Sequence, residues 1–134
     1  KAYIMNDIQS KEDIILFVNS FYGKVQKDTL IGPVFTGKIP DDKWPIHLEK
    51  MYRFWNSILF RAQEYTGNPF ARHISLGIEK VHFDRWLLLF ESVISENFKG
   101  PKADEAVLRA QNMGALFESK LSYMRDNPDR FGVV

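Results

Sequence analysis

Apolar residues recur at intervals of three and four along most of the chain, which predicts helices rather than strands. Ile14, Phe17, Val18, Phe21, Tyr22 and Val25 form one such face. They belong on a helix ending near Asp28, with Ser10 and Asp13 resembling a capping box at its start. Residues 30–35, Leu-Ile-Gly-Pro-Val-Phe, read as a tight apolar turn broken by Gly32-Pro33. A polar loop follows over residues 38–43. Trp44 and Pro45 then open a second helix, with Asp41 or Asp42 as its expected cap. Leu48, Met51, Trp55, Ile58, Leu59 and Ala62 are its apolar stripe, and His47, Met51 and Phe54 share a neighbouring face.

Gly67-Asn68-Pro69 ends this region and leads into a short segment containing His73. After Gly77 a third helix is expected from about residue 79 to 98. Its stretch 86–90, Trp-Leu-Leu-Leu-Phe, is apolar all round and predicts cover on two faces. Gly100-Pro101 stops it. A last helix follows over about residues 102–125, with Ala106, Val107, Ala110, Met113, Gly114, Phe117, Leu121 and Met124 at helical spacing. Asn127-Pro128 closes it. No stretch alternates for long, and no Asn-Gly or Asp-Gly hairpin turn occurs, so the expectation is all-α.

With 134 residues the simplest organisation is one domain over 1–134, with an N-terminal extension at 1–9 and a loose tail at 127–134. Aromatic content of 14% departs most from the ordinary. Such side chains fill cores, and they also line pockets for flat ligands. A net charge of +1, with both signs interleaved, offers no basic stripe for nucleic acid. The absence of cysteine excludes disulfides, iron–sulfur clusters and cysteine zinc sites. The longest apolar runs, 14–18 and 86–90, fall far short of the ~20 residues that span a bilayer. With no signal-peptide core near the start, a cytoplasmic location is expected; Lys1 is not the expected translated start.

His47, His73 and His82 have no pair at helical zinc-site spacing. Phosphate loops, nucleophile turns and an evident hydrolytic carboxylate pair are missing as well. An imidazole at His73, held in an irregular connection between helices, can reach an interhelical cavity and ligate iron through one nitrogen. On spacing alone, a partly exposed loop histidine is the simpler reading.

A wider pattern changes this. Phe21-Tyr22-x-Lys24-Val25-x-x-Asp28 and Leu30-x-Gly32-Pro33-x-Phe35 resemble the truncated haemoglobins. So do Trp44-x-x-His47, Phe54-Trp55, Gly67-x-Pro69-x-x-x-His73 and Trp86-Leu87-x-Leu89-Phe90. The set, spread from about residue 14 to 124, is most similar to the third group. That group keeps a histidine on the distal helix and lacks the glycine pairs of the others.

The resemblance implies a two-over-two helical sandwich around haem b (iron protoporphyrin IX), with His73 as proximal iron ligand. It makes Tyr22, His47 and Trp86 the distal polar residues and Phe35, Met51 and Phe54 haem contacts. Lys50 and Arg72 become candidates for the propionates, with solvated surface charge an equal reading. His82 is then a structural helix-start residue.

A five-coordinate iron would leave a position open for dioxygen, nitric oxide or carbon monoxide. Two distal hydrogen bonds, each contributing roughly 1 kcal/mol, would slow dioxygen dissociation on the order of 30-fold. That suits handling or detoxification better than bulk transport. Nitric oxide dioxygenation and peroxidase-like chemistry stay open, and turnover would need an external reductase. The alternative is a haem-free helical interaction or sensory domain whose aromatics are only core.

Overall fold

The computed structural model describes residues 5–62 and 79–126, and every regular element among them is helical. Helix α1 spans Lys11–Lys27 and buries all six residues of the predicted face. Ser10 caps it, its hydroxyl accepting the Asp13 N–H at 3.4 Å. The return half of the predicted box differs. The Asp13 carboxylate accepts from Gln9 N–H at 2.8 Å, one residue before the cap.

The expected apolar turn is itself helical: Gly32–Thr36 forms α2. Pro33 lies in its first turn, where a missing N–H costs nothing. The corner between α1 and α2 is organised by Asp28. Its Oδ2 accepts from Leu30 and Ile31 N–H, both at 3.0 Å, and its Oδ1 accepts from Arg85 at 2.8 Å. Burial would raise the Asp28 pKa, but these hydrogen bonds and the guanidinium charge outweigh it and hold the carboxyl below its ordinary value.

Residues Asp41–Lys43 form a 3₁₀ turn, so neither aspartate is the expected cap; Lys43 occupies that position without a side-chain hydrogen bond. Helix α3 then runs Trp44–Phe60, burying Trp44, Met51, Trp55 and Leu59. Leu48 and Ile58 pack partly buried against the core. Ala62, expected on the stripe, is exposed, because Arg61 takes a left-handed conformation (φ 55°) and ends the helix before it.

Helix α4 spans Lys80–Asn97 and α5 spans Pro101–Asp126. The expected double cover of residues 86–90 is incomplete: Trp86 and Phe90 are buried, whereas Leu88 is 61% exposed. Between the helices Gly100 has φ +152°, and a Cβ there would lie 2.5 Å from Asp7 Cγ. Asp7 sits so close because it caps α5, accepting from Lys102 and Ala103 N–H at 2.9 and 2.8 Å. Ile8, beside it, is buried, so this part of the N-terminal extension belongs to the core.

Helix α1 packs on α3 and α4, and α4 packs on α5. Their apolar faces form a main cluster from Ile8 to Ala110 that contains Tyr22, Phe35, Met51, Trp55, Trp86 and Phe90, and Phe83, Phe117 and Leu121 form a second between α4 and α5. Phe17 lies at its centre, touching Trp55, Phe90 and Phe98 edge-on. Lys24 joins α1 to Ser92 and Glu96 of α4 at 3.1 and 2.6 Å. Among the described residues, no helix is long and apolar enough to cross a membrane.

Candidate functional site

The side of α1 that carries Tyr22 meets α2 and the first turns of α3. Helical periodicity puts Trp44, His47 and Met51 on one side of α3, and packing against α1 brings the first two onto Tyr22. The Tyr22 and His47 ring centroids are 4.9 Å apart at 87°. Trp44 lies 5.8 Å from Tyr22 and 5.6 Å from His47, and Phe35 lies 6.3 Å from Tyr22. On the other side Phe21 contacts both Tyr22 at 4.9 Å and Trp86 at 5.5 Å.

Two polar groups are therefore enclosed by aromatic rings. Burial keeps the Tyr22 phenol protonated far above its ordinary range. Burial also lowers the His47 pKa from 6.5 to about 4, helped by the nearby Lys50 charge. At neutral pH the imidazole is uncharged, and its Nε2 is buried without a hydrogen-bond partner. An orphaned polar atom of this kind calls for an explanation, and a ligand is one.

Of the residues singled out from sequence, Tyr22, Phe35, His47, Met51 and Trp86 join the same core region. Phe54 is half-buried beside Trp55 at 5.5 Å, and Lys50 is half-buried one turn after His47. His73 and Arg72 lie outside the described residues. His82 is accounted for locally. Its Nδ1 accepts the Glu79 N–H at 2.9 Å, while the Glu79 side chain accepts from the His82 backbone. Sequence reasoning left Trp44 as a helix opener, although its position three residues before His47 placed both on one face.

The family model of the bacterial-like globins matches residues 4–116. The chain belongs to the bacterial-like globins, in the third group of truncated haemoglobins. It is 30% identical over 115 residues to the group 3 truncated haemoglobin ctb of Campylobacter jejuni, covering 84% of this chain and 91% of that one. Its fold is similar to the crystal structure of a group III truncated haemoglobin from Campylobacter jejuni. The TM-score is 0.79 at 29% identity, over 88% of this chain and 95% of the other.

Membership implies haem and the binding of diatomic ligands. The described part of this truncated haemoglobin fits that implication. One unsatisfied imidazole nitrogen and one protonated phenol set among aromatic rings are groups that fit a small polar ligand beside a flat apolar cofactor.

Proposed function

We propose that the chain holds haem b through His73 and uses Tyr22, His47 and Trp86 to retain dioxygen or nitric oxide for handling or detoxification. The observation that carries this reading is the buried, unpartnered Nε2 of His47 set edge-on to the Tyr22 ring. Haem, when bound, supplies an iron with one coordination position open to a diatomic molecule. Phe35, Met51 and Phe54 would bury its apolar edges, and Lys50 and Arg72 would face its carboxylates.

Tyr22, kept protonated, can donate its O–H to a partially negative ligand. Neutral His47 adds a donor on one nitrogen and an acceptor on the other. Burial keeps it uncharged at neutral pH, so an unprotonated ring nitrogen is available to a ligand or to a proton. Repeated turnover in oxidising nitric oxide would require electrons from a separate reductase.

Purified protein is expected to be red with a strong Soret band. His73→Gly should abolish stable haem binding, whereas His82→Ala should leave the spectrum nearly intact. A colourless preparation that takes up no added haemin would end the haem reading, and the opposite pattern between the two variants would reassign the ligand.

A further inference from the structure

His47 presents a physical problem that the helix alone does not solve. A neutral imidazole with a buried, unsatisfied nitrogen gains hydrogen bonds by rotating into water, and α3 begins only three residues earlier, near the surface. Ile46, beside it, is 53% exposed, so solvent is close. The inward position must be held by contacts.

Among the described residues, those contacts come from two rings. Helical side chains lean toward the N-terminus, so the His47 ring lies over the turn that bears Trp44. The Trp44 indole meets it edge-on, 5.6 Å between centroids at 89°. Trp44 is itself fixed: it is 7% exposed, followed by Pro45, and lies against Tyr22 at 5.8 Å. The three rings close a triangle, with Tyr22 and His47 4.9 Å apart.

Resting on the haem reading above, we propose that Trp44 is a positioning residue that latches His47 inward against Tyr22 and thereby sets how fast diatomic ligands enter the pocket. It acts through His47, without contact to the ligand. Replacing the indole by an aliphatic group keeps much of the buried volume but removes the aromatic edge. His47 is then free to swing toward water and open the way past α3. Among the described residues, the titratable and charged groups that bear on the imidazole are Lys50 on its own helix and the Tyr22 phenol on α1.

The test compares Trp44→Leu and Trp44→Phe in the haem-loaded protein. His47 is titrated by NMR in the diamagnetic ferrous carbon monoxide form, and carbon monoxide association is followed by flash photolysis. In Trp44→Leu the His47 pKa should rise from about 4 toward its ordinary 6.5, and association should speed roughly tenfold as the open fraction grows. Trp44→Phe, keeping a ring edge, should restore both values toward those of the parent. The proposal is overturned if His47 still titrates near 4 in Trp44→Leu with association changed less than about twofold. It is equally overturned if Trp44→Phe shifts as far as Trp44→Leu. The two readings fail separately. Absence of haem uptake ends the haem reading, whereas the His47 titration is readable with or without haem.

Discussion

Burial among aromatic rings sets the protonation of both polar residues in the pocket, and each has a measurable consequence. For Tyr22, a protonated phenol would, on the proposed function, offer one donor to a ligand, a bond contributing about 1 kcal/mol net. Tyr22→Phe should therefore speed dioxygen dissociation about fivefold, measured by stopped-flow displacement with carbon monoxide. An unchanged rate removes Tyr22 from ligand contact. For His47, the folded pKa of about 4 lies below the unfolded value of 6.5. Between these values the unfolded chain takes up a proton that the folded chain refuses. Stability should thus fall with falling pH through that window, by at most about 3 kcal/mol and by less as solvent screens the half-buried ring, and be insensitive to this group above it. Denaturant titrations of the parent and of His47→Leu at pH 7 and pH 4.5 would expose the difference. The variant should lose much of the slope, and equal slopes would place the imidazole in water.

At the scale of elements, the corner at Asp28 matters most, because it joins α1, α2 and α4 and so places Tyr22, Phe35 and Trp86 on their common site. Asp28 accepts from two backbone N–H groups and from Arg85, while Arg85 contributes only the last of these bonds and is 40% exposed in its side chain. Asp28→Ala should cost about 2–3 kcal/mol, since it leaves two backbone donors unsatisfied. Arg85→Ala should cost about 1 kcal/mol or less, as an ion pair open to solvent on one side is worth little. Chemical denaturation of both variants checks the order, and a larger loss at Arg85 would make the ion pair the principal tie. The Asp28 contribution is present above the ordinary carboxyl pKa and is lost as pH falls through the lowered folded value.

At the scale of the whole molecule, the helices pack around an aromatic-rich core, and membership in the truncated haemoglobins implies haem. A ligand that binds only the folded chain stabilises it by mass action, about 2.7 kcal/mol at a hundredfold excess over its dissociation constant. Haem-free protein should accordingly melt roughly 5–10 °C below the haem-loaded form by circular dichroism. Coincident melting curves would show that this aromatic core is complete without the cofactor.

Periodicity alone predicted the substantial helices, their buried faces and the all-α class, because a helix needs only residues three and four apart to agree. It missed α2, where Gly32 and Pro33 look like a break yet open a short helix anchored by the Asp28 corner. It also overestimated the cover on Leu88, since a continuous apolar run does not say which neighbours exist. For the site, spacing placed His47, Met51 and Phe54 on one side of α3, and the wider set of motifs singled out Tyr22 and Trp86. Arg72 and the proposed ligand His73 lie outside the described residues, so their roles rest on resemblance.

Sequence by itself thus determined which residues could share a helical face and, through the family pattern, which chemistry to expect. Tertiary structure decided what those faces meet: Tyr22 of α1 against His47 of α3, Trp44 wedged onto both, and an imidazole nitrogen left dry. The physical reason is range. Helical spacing is a local property of consecutive residues, whereas burial and ring contact depend on how distant segments pack, and burial is what makes His47 neutral and Tyr22 a fixed donor.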